Sequence, residues 1–426
     1  MTTPPRPSFG SSSFRQAARG LVALHRLIKD GKDETPEAES IRDALDAPLD
    51  ALSPTERDRA RWLSEDLYSI SDPPAPSTQR EMNPQAQTQL NEAYEARQSG
   101  EWDRALTLLR RWQQYVSPPL ASYLRGSIWL KAGAPEVAAE FYGHASESDP
   151  ANANYRAIYL HALSESDHTK ASLLTRDVLA DPEHYAPVVV ARAADIRFNE
   201  TRNTPDATSD GVYRELIPIL ARNQERLEKD ADAASRASAY AMTIGLLGFC
   251  HEFLGNAQAA VQLYTLGLRV NPYNDGLLVA RGILLYGGDA QAITDLELAT
   301  KLNSPVVWPY LFLAHHYLMT GRFEQCRTMC EIGLQKRGCS NAAMSQLEEW
   351  RAISQAELGF SASLIRASFE AAIRLDPSNE LARRNQDVFE QSLKGPNSTL
   401  RDKWEQRTSS AVRKFGLNER RFELAA

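Results

Sequence analysis

The feature that most constrains this chain is a series of prolines that recurs at nearly constant intervals beside helical apolar patterns. The series is Pro118, Pro150, Pro182, Pro272, Pro305 and Pro377. The first two intervals are each 32 residues, the interval after Pro272 is 33, and the 105 residues from Pro272 to Pro377 equal three steps of 35. Because proline cannot continue an α-helix, each of these residues marks a helix boundary. A fixed period of this size predicts stacked helical repeats.

Small residues recur within these repeats where two helices must approach closely, and large apolar residues stand three or four positions away. The repeat at 119–152 has Gly126, Trp129, Gly133, Ala138, Tyr142, Ala145 and Pro150. The repeat at 241–274 has Leu247, Gly248, Gly255, Ala260, Tyr264 and Pro272. These residues at this spacing resemble the tetratricopeptide repeat (TPR) family. The resemblance covers residues 86–393 and implies an all-α fold, an α-solenoid of antiparallel helix pairs wound as a right-handed superhelix.

The flanks of the array differ from it in composition. Residues 1–20 are rich in Pro, Ser and Gly, so we expect a disordered tail there. We expect a helical segment over 21–70, in which Ser53, Pro54 and Glu56 form a helix start with a capping box, and a Pro-rich linker over 71–84. The predicted parts of the array at 85–393 are 86–119, 119–152, a degenerate 151–182, a degenerate 183–240, 241–274, 275–305, 307–340, 345–377 and a capping helix at 380–393.

Composition limits the class of protein. The formal net charge of -7 disfavours nucleic acid or an anionic membrane as the main partner, because most of the surface would repel it. Four cysteines in 426 residues are too few for a disulfide scaffold and favour a reducing compartment. The sequence has neither the apolar core of a secretory signal nor the roughly 18 apolar residues of a membrane span. We therefore expect a cytoplasmic protein without a membrane span.

The motifs of common enzyme classes do not occur in this sequence. It contains no Walker loop, no G-x-S-x-G and no H-E-x-x-H, which lowers the expectation of catalysis. Cys326 and Cys330 are one helical turn apart, with Cys339 after them and His315 before them, so a metal or redox site is one interpretation. The other, which we favour, is that both cysteines pack as small apolar residues. We expect no enzyme activity, no cofactor and no small-molecule substrate.

The TPR resemblance also implies where partners bind. In that family, the second, fifth, ninth and twelfth places of a repeat tend to face the concave side of the array. In this chain those places carry aromatic and aliphatic residues, which favours a protein or peptide ligand with apolar anchors. An equally open alternative for each residue is that it packs against a neighbouring helix. The predicted protein-binding residues are Tyr94, Tyr123, Phe249, Tyr286, Trp308 and His315.

The C-terminal tail, residues 394–426, is basic and amphipathic. It has eight Lys or Arg against four Asp or Glu, and Leu400, Trp404, Val412 and Phe415 would form an apolar stripe on a helix. Three interpretations stay open: the tail caps the last repeat, it plugs the concave groove of its own chain, or it binds an outside acidic partner or a membrane surface.

The function predicted from the sequence is a protein- or peptide-binding scaffold or adaptor that uses the concave face of a TPR-like array. Two alternatives remain at this stage. The first is a metal- or redox-dependent role at Cys326 and Cys330. The second is a regulator that contacts nucleic acid through the basic tail, which would require strongly salt-dependent binding.

Overall fold

The computed structural model describes residues 10–71, 80–202, 209–229, 233–336, 340–394 and 403–423. Over these ranges the chain is all-α, as predicted, with twenty-one α-helices and single-turn 3-10 helices at Gln113–Tyr115 and Pro182–His184. The helices are α1 (Ser12–Lys29), α2 (Pro36–Asp50), α3 (Pro54–Ser71), α4 (Pro84–Ser99), α5 (Trp102–Trp112), α6 (Pro118–Lys131), α7 (Pro135–Ser148), α8 (Ala153–Ser166), α9 (His168–Ala180), α10 (Pro187–Arg202), α11 (Ser209–Lys229), α12 (Ala233–Phe253), α13 (Ala257–Val270), α14 (Asp275–Leu285), α15 (Gln291–Lys301), α16 (Trp308–Met319), α17 (Phe323–Gly333), α18 (Asn341–Glu357), α19 (Ala362–Leu375), α20 (Glu380–Ser392) and α21 (Ser409–Glu423).

The helices fall into two compact bodies, residues 1–196 and residues 197–426, which we call the N-terminal body and the C-terminal body. In both, consecutive helices pack in pairs, such as α6 with α7 and α12 with α13. Left-handed glycines close the turns inside such pairs, with φ of 83° at Gly133 and 84° at Gly255. An L side chain rarely adopts that conformation, which explains glycine at these places.

Close approach within a pair depends on a second glycine. A Cβ added to Gly126 on α6 would lie 2.8 Å from the ring of Tyr142 on α7. Tyr142 is 1% exposed, so its ring has little room to move away. The equivalent contact in the C-terminal body joins Gly248 on α12 to Tyr264 on α13, where an added Cβ would also clash with the ring. Both contacts join residues that are 16 positions apart, and all four residues belong to the repeats identified in the sequence.

The N-terminal flank is more ordered than its composition suggests. Residues 12–20, expected to lie in a disordered tail, form the first half of α1, in which Phe14 and Ala17 are buried. The Ser11 hydroxyl caps this helix, and the Ser11 amide donates to Glu56 of α3 at 2.7 Å. These tertiary contacts stabilise a helix that the local composition alone does not predict. Residues 1–9 lie outside the described residues.

The start of α3 follows the predicted capping box. The Ser53 amide donates to Glu56 at 3.0 Å, and the Glu56 amide donates to the Ser53 hydroxyl at 3.3 Å. Because the Ser11 amide and Ser53 also donate to its carboxylate, the pKa of Glu56 falls to about 2. The predicted linker at 71–84 lies largely outside the described residues, and α4 begins at Pro84 with Asn83 as its N-cap.

The segment 151–240, whose repeat phase the sequence left open, contains one ordinary helix pair and two long helices. The pair is α8 with α9, and it is followed by α10 and by the 21-residue α11, which packs along α12. In the C-terminal body, Phe198 of α10 contacts Tyr213 of α11 and Phe253 of α12, with ring centroids 5.4 and 5.7 Å apart. This aromatic cluster joins the three helices in place of a regular repeat contact.

Candidate peptide-binding face

In the C-terminal body, the first helices of successive pairs lie beside one another. Helix α14 contacts α16, α16 contacts α18, and α18 contacts α20. Three of the places that the TPR resemblance assigns to ligand binding, those of Tyr286, Trp308 and His315, therefore lie on one surface. We call this surface, with Tyr286, Trp308, Phe312, His315, Glu349 and Asn385 as its main residues, the segment-binding face.

Three of the predicted binding residues lie on this face, and all three are buried. Tyr286 is 3% exposed, Trp308 is 2% exposed and His315 is fully buried. Residues 403–423 of the same chain, which we call the C-terminal segment, pack against α14 and α16 and cover them. The segment is extended up to Thr408 and continues as α21.

Trp404 anchors the extended part of the segment. Its side chain is 7% exposed and packs towards Phe369 of α19, with ring centroids 6.5 Å apart. The indole N–H donates to the carboxylate of Glu357, the last residue of α18, at 2.7 Å. A buried indole whose N–H is also hydrogen-bonded provides both a large apolar contact and a directional hydrogen bond. Residues of this kind are typical binding hot spots.

The backbone next to Trp404 is bound by a side-chain amide. The Glu405 amide donates to Asn385 Oδ1 at 2.8 Å, and Asn385 Nδ2 donates to the Glu405 carbonyl at 2.9 Å. Asn385 lies on α20 and is fully buried. This pair of bonds involves only the backbone of Glu405. The exposed Glu405 side chain accepts separately from Arg384 of α20 at 3.0 Å.

Arg407 supplies the charged contact. Its Nη1 donates to Glu349 Oε2 at 2.8 Å, and its Nη2 donates to Asn379 Oδ1 at 2.8 Å. Glu349 is 1% exposed, and its carboxylate also accepts from Asn379 and Asn385 at 3.1 and 3.0 Å. A carboxylate buried this deeply requires a cation and hydrogen-bond donors to offset the loss of water.

His315 completes the cradle around Arg407. Its Nε2 lies 2.8 Å from the Arg407 carbonyl oxygen, and its Nδ1 lies 2.7 Å from the Tyr286 hydroxyl. Because a carbonyl can only accept, Nε2 carries the proton and Nδ1 accepts from Tyr286. Burial lowers the pKa of His315 to about 4, although the bond to Arg407 opposes this effect. The neutral ring therefore acts as a donor to the segment backbone at neutral pH.

The helical part of the segment packs on α14 and α16. Val412 is fully buried, and the ring centroids of Phe415 and Trp308 are 6.4 Å apart. Gly416 approaches α16 so closely that an added Cβ would lie 2.6 Å from Phe312. Arg413 donates to the Tyr286 carbonyl at 3.4 Å. Beside Ser409, a cavity of about 290 Å³ remains between α21 and the residues Tyr286, Gly287, Asp289, Ile293, His316 and Met319.

The other three predicted binding residues lie elsewhere. In the N-terminal body, Tyr94 is 54% exposed beside Arg97, whereas Tyr123 is half-buried between Tyr142 and Tyr155. In the C-terminal body, Phe249 is half-buried in the aromatic cluster of α10 to α12. Their role in binding stays a prediction.

The sequence interpretation missed the polar residues of the face, Glu349, Asn379 and Asn385. A signal for one of them was present, because Glu349 stands at the fifth place of the repeat 345–377, one of the places assigned to the concave side. Spacing alone, however, does not distinguish a buried acidic residue on a helix from one on the solvated surface. Nothing local marks Asn379, which also caps α20, or Asn385 as binding residues.

The cysteine pair lies in the core. Cys326 and Cys330 of α17 are fully buried among apolar residues, and burial raises the pKa of the Cys330 thiol well above its usual value. A thiol of this kind is protonated and a poor nucleophile or metal ligand. Across the described residues, no group of three or more His, Cys, Asp or Glu side chains is placed to hold a metal ion. Cys339 lies outside the described residues.

The helices that the structure describes include none that is both long and apolar enough to cross a membrane. No family model and no curated protein matches this chain.

Several solved structures align with the chain at low similarity. The Cut9–Hcn1 hetero-tetramer of the APC/C gives a TM-score of 0.37 at 14% identity, over 87% of each chain. A monomeric mutant of IFIT1 with m7Gppp-AAAA gives 0.36 at 14% identity, over 96% of this chain and 94% of that one. The C-terminal part of a TPR repeat-containing protein from Cytophaga hutchinsonii gives 0.29 at 11% identity, over 69% of this chain and 98% of that one.

The helix pairing within each body, the left-handed glycine turns and the glycine–tyrosine contacts characterise the architecture independently of these alignments. By these features, the chain is an all-α protein of TPR-like architecture.

Proposed function

We propose that this protein is a scaffold that binds a polypeptide segment of another protein, and that the segment-binding face is the site. One observation carries the proposal: the face already holds a polypeptide, the C-terminal segment, through side-chain pockets and through bonds to its backbone. The contacts to Trp404, to the Glu405 backbone and to Arg407 are those by which proteins recognise short peptides. Such recognition needs no catalytic group, so the proposed role is binding rather than catalysis.

The mode of contact supports an exchangeable ligand. A helix that only completes a core is held mainly by apolar packing, whereas the extended part of this segment is held by paired polar groups with defined directions. The exposed side of the segment carries Lys403, Ser410 and Lys414 and faces solvent. The segment thus lies on the face as a ligand would.

A cleavable version of the full chain tests the proposal. A protease recognition site is placed within residues 395–402, and the folded protein is cut, which turns the C-terminal segment into a non-covalent ligand. We expect a fluorescent peptide of residues 403–423 to exchange into the cut protein with saturable anisotropy. In the uncut protein the tethered segment competes at a roughly millimolar effective concentration. The peptide should therefore bind the uncut protein at least about 100-fold more weakly.

A different outcome of the same experiment would contradict the proposal. If the cut segment leaves only when the body unfolds, as followed by circular dichroism, and no peptide exchanges into the folded protein, then the segment is part of the core and the proposed function is wrong. A cut variant with Tyr68→Ala, which changes an exposed aromatic residue of α3 with no predicted binding role, is the control and should exchange peptide normally.

A further inference from the structure

We propose that the segment-binding face is specific for a partner segment with an aromatic residue followed three positions later by arginine, in an extended backbone that continues into a short apolar helix. This inference rests on the proposed function and adds the chemistry of the partner. The pattern is that of Trp404 and Arg407, followed by Val412 and Phe415 on α21.

The spacing follows from the positions of the receptor groups. Glu357, which pairs with the indole, ends α18, and Glu349, which pairs with the guanidinium, lies two helical turns earlier on the same helix. Eight helical residues rise about 12 Å, and three extended residues span about 10 Å, so the two acidic groups select this separation in the ligand. Asn385 binds the backbone between the two anchors.

The charge at the second anchor selects arginine. Glu349 is almost fully buried, and the described groups within hydrogen-bond distance of it are the amides of Asn379 and Asn385 and the Arg407 guanidinium. The planar fork of arginine reaches Glu349 and Asn379 together, each at 2.8 Å. Lysine carries a point charge without this fork and would satisfy one of the two acceptors less well. A segment that lacks a cation here would leave the carboxylate with its two amide donors but without a counter-charge.

The chain's own segment therefore acts as an internal competitor. A partner gains access by displacing residues 403–423, and the cavity of about 290 Å³ beside Ser409 provides room for a partner side chain bulkier than serine. The turn at Gly287 limits this space, since Ser409 is close enough that a Cβ on Gly287 would lie 2.8 Å from it.

The test uses the cut full chain and a set of competing peptides of residues 403–423. Trp404→Ala and Arg407→Ala should each weaken competition by about 30-fold or more, as expected for the central anchors of an interface. Arg407→Lys should lie between Arg407→Ala and the parent peptide. Lys414→Ala removes the same charge as Arg407→Ala but from an exposed position, and should change competition by less than about twofold.

A random-peptide library selected on the same cut protein shows whether the pattern is general. Enrichment of an aromatic residue three positions before arginine supports the inference. Peptides that bind, compete with residues 403–423 and lack this pattern would overturn the inference and leave the proposed function standing. Failure of every peptide to bind would instead count against the proposed function itself.

The remaining alternative is that the occupant is the segment of a second copy of this chain. Size-exclusion chromatography with light scattering separates the two. A monomer at micromolar concentration supports a partner segment, whereas a dimer that Arg407→Ala dissociates would overturn the proposal in favour of exchange between copies.

Discussion

Arg407 and Glu349 are 58 positions apart in the sequence and form an ion pair at 2.8 Å, in which the carboxylate is 1% exposed and the guanidinium side chain is 18% exposed. The pair joins the extended part of the C-terminal segment to α18. A buried pair of this kind contributes less net stability than its geometry suggests, because both groups lose water. Its larger effect is that removing either residue alone leaves the other without its counter-charge.

A double-mutant cycle should reveal this dependence. Arg407→Ala should destabilise the docked state of the segment by about 3 kcal/mol, because it leaves Glu349 charged and buried. Glu349→Gln added to Arg407→Ala should recover part of the loss, since a neutral amide costs less to bury. The measurement is hydrogen exchange of residues 403–423, which reports release of the segment separately from global unfolding. Glu349→Gln alone completes the cycle, and effects of the two single variants that add up to the effect of the double variant would show that the two residues are not coupled.

A second prediction concerns the close approach of α21 to α16. Gly416→Ala should weaken docking by about 1–3 kcal/mol, because the new methyl group would lie 2.6 Å from the buried Phe312 ring. Alanine alone would favour the helix by up to about 1 kcal/mol, so steric conflict and helix propensity act in opposite directions.

Gly211→Ala is the matched control for this change. Gly211 lies in α11, and an added Cβ there would have no atom within 4 Å. The substitution therefore changes only the helix propensity, and the variant should be slightly more stable. Proteolysis of the C-terminal segment, followed by mass spectrometry, measures the effect of Gly416→Ala. Protection equal to that of the parent protein would mean that Phe312 moves aside at little cost.

Periodicity in the sequence predicts the helix pairs. Three of the six predicted binding residues lie on one face in the structure. Gly126, Tyr142 and Pro150 mark a repeat through local spacing, and local spacing is preserved on folding. The position rule of the family then brings Tyr286, Trp308 and His315 to the same surface, where the structure places them.

The return of the C-terminal segment could not be derived in this way. Trp404 reaches Glu357 across 47 positions, and no periodic pattern relates an extended segment to a helix that far away. Periodicity also gives no measure of burial for a single charged residue, so it does not identify Glu349 as a buried group. The helix at residues 12–20 does not follow from composition for a related reason, since Phe14 and Ala18 are stabilised by tertiary contacts.

A third prediction concerns the N-terminal body. Asp66 of α3 pairs with Arg110 of α5 at 2.6 Å and with Arg125 of α6 at 3.6 Å. Burial lowers the pKa of Arg125, and the nearby Asp66 carboxylate opposes this. Asp66→Asn should therefore destabilise the protein by about 3 kcal/mol, because two guanidinium groups lose their counter-charge.

Asp58 on the same helix provides the control. It pairs with Arg61 at 2.9 Å, but both side chains are more than half exposed. Asp58→Asn should change stability by less than about 0.5 kcal/mol. Urea unfolding of the two variants measures the difference, and equal midpoints would show that solvent reaches the Asp66 pair as freely as the Asp58 pair.

The last prediction is a dependence of stability on pH through His315. Burial lowers the pKa of its imidazole in the folded protein to about 4, against 6.5 for an ordinary histidine. Between these values the unfolded chain binds a proton that the folded chain does not, so folding stability is complete above about pH 6.5 and falls as the pH drops towards 4. A pKa difference of this size corresponds to about 3 kcal/mol of folding free energy.

His315→Gln should remove this share of the acid sensitivity. Glutamine has an amide that can donate to the Arg407 carbonyl but does not titrate, so the variant should be less stable than the parent protein near pH 7 and lose less stability by pH 4.5. The charges of Arg407 and His316 also disfavour protonation of His315, whereas the hydrogen bond to the Arg407 carbonyl favours it and is the larger of the two effects of Arg407. The measurement is urea unfolding from pH 4.5 to pH 7.5, with exposed His168→Gln as the control. Parallel stability curves for the parent protein and His315→Gln would mean that His315 gains a proton in the folded state as readily as in the unfolded chain.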